Sequence, residues 1–282
     1  MTPLEHKIDY AVIVSVRHAN PNGDPLTGNR PREDYEGFGE ISDVCIKRKI
    51  RNRFIDLGKP VFVQSDDKRS DSYGSLSERA GACEALKGIK DKDEYARIAC
   101  SQWLDVRSFG QLFAFKSGKK GEGVSVGVRG PVSVHPAFSV SPVLTESIQI
   151  TKSVNSEPGE KKSSDTMGMK HRVAFGLYVF YGSVNCQLAE KTGFTAEDAA
   201  TLHEALKTLF ENDASSARPE GSIEVCDVYW WQHASRTGQY SSAKVHRSLT
   251  IAPKVDIPRS YEDYSIAINP LEGLEPSHYH GL

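Results

Sequence analysis

The amino-acid sequence predicts an α+β protein with a ferredoxin-like antiparallel sheet and two helices. Three observations support this fold class: an alternating apolar strand early in the chain, a well-delimited basic helix after it, and a second amphipathic helix that precedes an aromatic strand. Strand, helix, strands, helix and strand in this order match a split βαβ arrangement. We expect one main domain over residues 1–282, with an inserted polar and helical segment at 65–115 and a β-hairpin at 145–172.

The first strand is an apolar segment in which side chains alternate with a period of two. Its apolar positions are Ile8, Tyr10, Val12, Val14 and Val16. This alternation of β-branched residues predicts a mostly buried central strand. Arg17 and His18 lie at its exit, and the segment Asn20-Pro21-Asn22-Gly23-Asp24-Pro25 follows. Because glycine admits positive φ and proline fixes φ, this segment predicts a polar turn.

A strongly basic helix comes next, with Ser42 as the expected N-cap and Gly58 and Pro60 beyond its end. Its apolar stripe consists of Ile46, Ile50, Phe54 and Leu57, and its flanks carry Lys47, Arg48 and Arg51 on one side and Lys49 and Arg53 on the other. Few acidic side chains lie inside the helix, and the preceding loop carries Arg30 and Arg32. We therefore interpret this loop and helix as a cradle for an RNA backbone. A solvated helix surface is the alternative.

The remaining elements are predicted from shorter patterns. We expect a short strand at 61–64, a polar loop at 65–92, a helical pattern at 93–115, strands at 124–128 and 223–231, an amphipathic helix at 195–210 and a tail strand at 248–251. Thr195 is the expected cap of the amphipathic helix, which we interpret as structural. Trp230 and Trp231 point to opposite faces of their strand, so at least one of them belongs to the core.

The hairpin at 145–172 is the second basic segment. Ile148, Ile150 and Val154 mark its first strand, and a polar stretch at 155–165 separates it from the alternating apolar residues after Arg172. Its distal part carries Lys152, Lys161, Lys162, Met167, Met169, Lys170, His171 and Arg172. Basic side chains neutralise phosphates, and methionine contacts a base without identifying it, so this composition suits RNA. The alternative is a loop with two core methionines.

Composition limits the function classes. The formal net charge is only −2, so nucleic-acid binding requires local segregation of basic residues. Five cysteines, without a Cys-x-x-Cys pair, indicate reduced thiols and a cytoplasmic protein. No run of apolar residues approaches the roughly 20 that a membrane span needs, and no signal-type segment opens the chain, so we expect no membrane association.

Three motifs suggest ligands but fail on closer inspection. The glycine spacing from Gly23 to Arg30 lacks the Lys and Ser/Thr of a phosphate-binding loop. Asp66, Asp67 and Asp71 do not fit a calcium-loop pattern, and the histidines of His278-Tyr279-His280 have no acid or cysteine at a supporting spacing. We therefore expect no metal and no cofactor.

These motifs together resemble a known family. The Asn20–Pro25 segment after an apolar strand, the run Ser42-Asp43-Val44-Cys45-Ile46-Lys47-Arg48-Lys49-Ile50-Arg51, the run Asp105-Val106-Arg107-Ser108-Phe109-Gly110-Gln111, and residues 148–155 and 166–178 resemble the backbone subunit of CRISPR Cascade, the Cas7 family, most closely its type I-C member. The resemblance spans essentially the whole chain. It implies a modified RNA-recognition-motif (RRM) fold that coats guide RNA as a helical filament, with the hairpin as a thumb that overlaps the adjacent subunit.

The function that this resemblance implies is a non-catalytic scaffold for the crRNA spacer, presenting it for pairing with target DNA in antiviral defence. The implied partners are crRNA, target DNA through the crRNA, further copies of the chain, and other Cascade subunits, namely the crRNA 5'-end cap or processing subunit and the large subunit. The residues expected to contact RNA are Arg17, Asn20, Asn22, Arg30, Ser42, Lys47, Arg48, Arg51, Arg107, Lys152, Met167, Met169, Lys170, His171 and Arg172.

Two alternatives accompany this expectation. Arg107 and Phe109 are equally explained as a surface arginine beside a core aromatic. The alternative function is a metal-dependent, RNA-cleaving backbone subunit of the type III kind, in which Asp24 or Asp43 would be the acidic residue. Asp43 is already explained as a helix N-terminal charge.

Overall fold

The structure, a computed structural model, describes residues 3–115, 124–151 and 167–281. The strands in those residues are β1 (Ile8–Ala19), β2 (Gly23–Asp24), β3 (Arg30–Pro31), β4 (Phe38–Ile41), β5 (Gly110–Phe115), β6 (Val124–Arg129), β7 (Val132–Val134), β8 (Ala137–Pro142), β9 (Thr145–Thr151), β10 (Met167–Val184), β11 (Ile223–Gln232), β12 (Leu249–Pro253), β13 (Tyr264–Ile268) and β14 (Ser277–His280). The helices are α1 (Asp43–Asp56), α2 (Leu76–Ala82), α3 (Lys92–Gln102), α4 (Leu104–Phe109), α5 (Cys186–Thr192), α6 (Ala196–Lys207) and α7 (Ser242–His246).

The main sheet is antiparallel, with the strand order β14-β11-β1-β10-β8-β4 and with β7 and β9 also paired to β10. Strand β1 pairs with β10 on one side and with β11 on the other, which confirms it as a central strand. Trp230 and Trp231 are both buried, in the clusters on opposite sides of the sheet. The predicted α+β class with an antiparallel sheet is therefore confirmed.

Each face of the sheet is covered by a separate apolar cluster. On one face α1 and α6 pack with Ile50, Phe54, Leu202 and Leu206, all of them buried. On the other face α7 and the β12–β13 pair cover the sheet, with Val245 among the buried residues. Since both faces are covered, the sheet interior is nearly continuous in apolar residues, which explains the long apolar runs in β1 and β11.

The two long helices begin where the sequence predicts. The Ser42 hydroxyl accepts a hydrogen bond from the Cys45 N–H and caps α1. Thr195 and Asp198 form a capping box at the start of α6, because each side chain accepts from the backbone of the other residue. Such caps satisfy N–H groups that have no partner inside the helix.

Residues 61–115 differ from the prediction in three places. Residues 65–92 contain α2 and short 3₁₀ turns as well as loop, and they pack with α3 and the β5–β6 hairpin around a small core of their own that includes Phe62 and Tyr95. Residues 110–115 form strand β5 and not helix, because Gly110 has φ +82° and turns the chain into pairing with β6. Residues 61–64 form no strand, since the N–H groups of Phe62 and Val63 donate to the carboxylate of Asp105.

Strand β10 carries both the sheet and the hairpin. It has 18 residues, and Val173–Val184 faces β1 while Met167–Val173 faces β9. The described part of the predicted hairpin is thus a direct continuation of a central strand. None of the helices in the parts of the chain that the structure describes is long and apolar enough to cross a membrane.

Candidate nucleic-acid interface

The loop after β1 is held by two asparagines and the cap of α1. The Asn20 amide donates to the Asn29 carbonyl oxygen at 2.7 Å. Asn22 Oδ1 accepts from both the backbone N–H and the hydroxyl of Ser42, at 2.9 and 2.8 Å. The amide oxygen of Asn22 and the Ser42 hydroxyl, both predicted to contact RNA, are therefore already engaged inside the chain. These residues fix the position of the loop relative to the first turn of α1.

The basic side chains of α1 are mostly paired with acids. Lys47 lies 2.9 Å from Asp43, one turn earlier. Arg51 donates to Asp105 at 3.0 Å and its guanidinium lies over the Phe109 ring. Arg48 is exposed and has no hydrogen-bonded or ion-paired partner in the described ranges. Acids at the two ends of α1 and acids from other elements together neutralise most of the positive charge of this helix.

The opposite flank of α1 is a structural ion-pair cluster. Lys49 is buried and paired with Asp213, and Arg53 is paired with Asp56 and Glu211. Burial lowers the pKa of the Lys49 amine, while the charge of Asp213 acts in the opposite direction. These contacts join α1 to the segment after α6, so this flank stabilises the fold and offers no free cation to a ligand.

The end of β1 and the base of the hairpin meet at a group of basic side chains that we name the basic junction: Arg17, His18, Arg30, His171 and Arg172. The Ser147 hydroxyl contacts both Arg30 Nη1, at 3.1 Å, and His171 Nδ1, at 2.9 Å. These contacts link the loop after β1 to the two strands of the hairpin.

A second contact within the basic junction uses Glu146. Its carboxylate accepts from Arg172 Nε at 2.7 Å and lies 4.0 Å from His18 Nδ1. Arg17 is exposed, and its guanidinium lies 5.5 Å from the centre of the Phe175 ring. Among the residues that the structure describes, Arg17 and Arg30 form no salt bridge, so their guanidinium groups are available to a ligand at this surface.

The hairpin presents its methionines to solvent. Met167 is 53% exposed and Met169 is 55% exposed, and both lie on the same face of β10. The alternative that these are core methionines is therefore wrong. Lys170 lies on the other face of the strand. Lys152, Lys161, Lys162 and the stretch 155–165 lie outside the described residues.

Arg107 is engaged in a bidentate ion pair. Its Nε and Nη2 donate to the two carboxylate oxygens of Asp198 at 2.9 and 2.8 Å, and Nη1 donates to the Cys100 carbonyl oxygen. Phe109 packs against the Phe54 ring on the core side. Arg107 is mostly buried and ties α4 to the capping box of α6, so it is not the surface arginine that the sequence alternative proposed.

Asp24 and Asp43, the acids of the alternative function, each have a local structural partner. The Asp24 carboxylate accepts from the Leu26 N–H at 3.0 Å and caps a short 3₁₀ turn. Asp43 lies in the first turn of α1 and pairs with Lys47.

One group of polar residues was missed by sequence reasoning. His278 and His280 lie on β14, whose pairing with β11 places Asp227 directly opposite His280. Sequence spacing offered no acid to these histidines, but strand pairing brings one to them from 51 positions earlier in the chain. Asp227 is the lone charged residue in the buried middle of an apolar strand, and that pattern is the signal that could have drawn attention to it.

Comparisons with known proteins place the chain in a family. The model of the family "CRISPR-associated protein Cas7" matches residues 6–269. A CRISPR-associated protein Cas7 of Haloferax volcanii is 26% identical over 230 residues, which cover 77% of this chain and 67% of that relative.

A solved structure shares the fold. A chain of a CRISPR RNA-guided surveillance complex, pre-nicking, is similar with a TM-score of 0.50 at 18% sequence identity, over 80% of this chain and 78% of that chain. At this identity the likeness concerns the fold alone, and it agrees with the α+β architecture described above. Because the family model covers nearly the whole chain from the first strand to β13, this protein belongs to the CRISPR-associated protein Cas7 family.

Proposed function

We propose that the protein is a non-catalytic backbone subunit of a type I-C CRISPR Cascade complex in the cytoplasm. In this role it coats the crRNA spacer as a helical filament through phosphate contacts that do not depend on sequence, and it presents the spacer for pairing with target DNA. Family membership supports the general role. The partners are crRNA, target DNA through the crRNA, further copies of this chain, the crRNA 5'-end cap or processing subunit and the large subunit.

The basic junction is the observation that carries this proposal. It brings arginine and histidine side chains from β1, the following loop and the hairpin to one surface, although the chain as a whole has a net charge of −2. Guanidinium groups suit phosphate oxygens because they donate several hydrogen bonds in a fixed plane. Phosphate contacts position a nucleic acid without identifying its bases, which is what a subunit that accepts any spacer requires.

The described contacts divide the predicted RNA residues into two groups. The exposed or partly exposed side chains are proposed to touch RNA directly: Arg17, Arg30, Arg48, Met167, Met169, Lys170, His171 and Arg172. Of these, Arg30 and His171 also contact Ser147, and Arg172 also pairs with Glu146. The remaining residues are proposed to support the surface through their contacts within the chain: Asn20, Asn22, Ser42, Lys47, Arg51 and Arg107. Lys152 is proposed as a further phosphate contact on the basis of sequence.

The hairpin supports the filament proposal through its exposed apolar side chains. Met167 and Met169 lie on one face of β10, beyond the last pair that β10 forms with β1. A flexible apolar side chain can pack against an unstacked base or a neighbouring copy. A hairpin of one subunit that contacts a different surface of the next makes a heterologous contact, and such contacts extend into helical assemblies.

Complex mass as a function of guide length tests the proposal. Guides of a fixed repeat and increasing spacer length are mixed with the protein, and native mass spectrometry gives the number of copies per guide. We expect this number to rise stepwise with spacer length for spacers of unrelated sequence. A constant number of copies at all lengths contradicts the proposal.

Two deletions refine this test. Residues 155–165 contain no large apolar side chain, and removing them is expected to reduce cooperative assembly on long guides while the monomer stays folded. The matched control removes residues 117–122, a polar segment with two lysines between β5 and β6. Equal loss of cooperativity in both variants, or no loss in either, argues against a specific role for the hairpin.

A further inference from the structure

We propose that Asp227, His278 and His280 form a binding site for a divalent cation of the zinc class, which fastens β14 to β11. This inference concerns the far edge of the sheet and does not depend on RNA binding. The three residues offer one carboxylate oxygen and two imidazole nitrogens, and these atoms all lie within 4.8 Å of one another.

Strand geometry brings the three side chains together. The histidines are two residues apart on β14, so both rings project from the same face of that strand. In the antiparallel register Asp227 is the direct partner of His280, and Tyr229 is the partner of His278. As a result His278 Nε2 lies 2.7 Å and His280 Nδ1 lies 2.8 Å from the same oxygen, Asp227 Oδ1.

The charge of Asp227 favours a cation. Its side chain is only 1% exposed, while those of His278 and His280 are 42% and 60% exposed. Within the described ranges, the two histidines are the sole basic side chains that pair with Asp227. When both imidazoles are neutral, a buried carboxylate remains without a compensating charge, which is costly. A divalent ion held by all three groups supplies that charge, and the exposed rings leave a path for it from solvent.

Tyr261 and Tyr229 fix the orientation of these side chains. Residues next to the ligands play this part in metal sites. The Tyr261 hydroxyl donates to the other carboxylate oxygen, Asp227 Oδ2, at 2.6 Å, and so leaves Oδ1 directed at the histidines. The His278 ring stacks on Tyr229 with centroids 4.4 Å apart and an interplanar angle of 6°. Hydrogen bonds to a ligating carboxylate and packing of a ligating ring fix the direction of the donor atoms.

The kinds of ligand atom at this site indicate which ion it would bind. Two imidazoles and one carboxylate suit zinc, which binds nitrogen and oxygen at about 2.0–2.2 Å and accepts a water as the fourth ligand. Donor atoms on a zinc tetrahedron are about 3.3 Å apart, so each ring must withdraw from the Asp227 oxygen by about half an ångström. The two imidazole nitrogens, which lie within 4.8 Å of each other, must reach the same spacing. Calcium and magnesium prefer oxygen ligands throughout and fit this set poorly.

Zinc titration of protein that carries no histidine tag tests the proposal. We expect calorimetry with zinc chloride to show one ion per chain for the wild type, and we expect cobalt(II) to give the visible absorption of a four-coordinate site. The Asp227→Asn variant keeps an acceptor for Tyr261 but lacks the charge, and His278→Ala with His280→Ala removes both rings. Both variants are expected to lose stoichiometric binding. His135→Ala, which removes an exposed histidine elsewhere, is the matched control and should bind as the wild type does.

A positioning variant separates a built site from adventitious histidine binding. Tyr261→Phe removes only the hydrogen bond to Asp227 Oδ2, and outer contacts of this kind change metal affinity by about 10–100-fold. We expect zinc affinity to fall within that range, and the rise of the unfolding temperature to require correspondingly more zinc. Absence of stoichiometric binding to the wild type, or unchanged binding in Asp227→Asn, overturns the proposal. Zinc affinity in Tyr261→Phe equal to that of the wild type also overturns it.

Discussion

The guanidinium of Arg51 on α1 lies 3.0 Å from the carboxylate of Asp105 on α4. The same carboxylate accepts from the N–H groups of Phe62 and Val63, at 2.7 and 3.0 Å. Asp105 therefore joins α1, α4 and the chain that leaves α1 toward the insertion. Arg51 provides the positive charge that balances this buried acid, so it helps to hold α4 and residues 62–63 against α1.

Replacing Arg51 is consequently expected to destabilise the fold. Arg51→Ala leaves Asp105 buried without its cation and should lower the free energy of unfolding by about 2 kcal/mol or more. Arg48→Ala, three residues earlier and exposed, should change it by less than about 0.5 kcal/mol. Urea unfolding of both variants measures the difference. Similar values for the two would show that the pair with Asp105 contributes little to stability.

Exposed arginines that form no salt bridge with any residue in the described ranges should determine the salt dependence of RNA binding. Arg17→Ala and Arg48→Ala each remove one phosphate contact and should reduce the slope of log affinity against log salt by about 1 for any RNA sequence. Arg97→Ala, which removes a 73% exposed arginine on α3, is the control and should leave the slope unchanged. Titrations of two unrelated guides at several salt concentrations measure this. A slope that all three variants share with the wild type removes Arg17 and Arg48 from the interface.

Gly182 should tolerate no side chain, because the Tyr10 ring of the paired strand lies against it. The Tyr10 hydroxyl donates to the Ser133 carbonyl oxygen at 3.0 Å, and a Cβ at position 182 would collide with the ring. Gly182→Ala is expected to lower the free energy of unfolding by about 3 kcal/mol through overpacking and loss of that hydrogen bond. Gly127→Ala, in β6 with no atom near its Cβ, should be nearly neutral. Thermal unfolding compares them, and equal effects would contradict the prediction.

His203 should make stability depend on pH. Burial lowers the pKa of its imidazole to about 4 from 6.5, and the nearby charge of Lys207 adds to this. The unfolded chain therefore binds a proton at a higher pH than the folded chain does. The contribution of His203 to the free energy of unfolding is complete above pH 6.5 and is lost progressively as the pH falls toward 4.

The free energy of unfolding is expected to fall by about 1 kcal/mol between about pH 7 and about pH 5, allowing for the partial exposure of His203 to solvent. His203→Phe keeps the stacking on Trp230, whose ring centre lies 4.6 Å away, and should lack this component. Urea unfolding of wild type and variant at the two pH values gives the comparison. An identical pH dependence in both proteins rules out His203 as its source.

Local signals predicted the parts of the fold that depend on neighbouring residues. Ser42 and Thr195 mark the starts of α1 and α6, because a cap and its helix are adjacent in sequence. Strand β1 was predicted from the alternation of its apolar residues alone. Strand β5 was missed, since it depends on the positive φ of Gly110 and on pairing with β6.

The site was predicted less completely because its contacts join distant residues. Arg51 and Asp105 are 54 positions apart, and Arg107 and Asp198 are 91 positions apart. A basic run shows that cations are present but not which of them are neutralised by the tertiary fold. Likewise the histidines of β14 meet Asp227 only through strand register, which no local pattern contains.

Strand β10 runs without interruption, so its length is fixed by its number of residues. Its 18 residues extend over about 60 Å, so the distance from its sheet end to Met167 is set by the rise per residue. Lengthening both hairpin strands by two residues would advance the far end by roughly 7 Å and keep every side chain on its original face, whereas adding one residue would exchange the faces. Insertions of two residues in each strand therefore conserve the faces of this strand pair during evolution, whereas single-residue insertions do not.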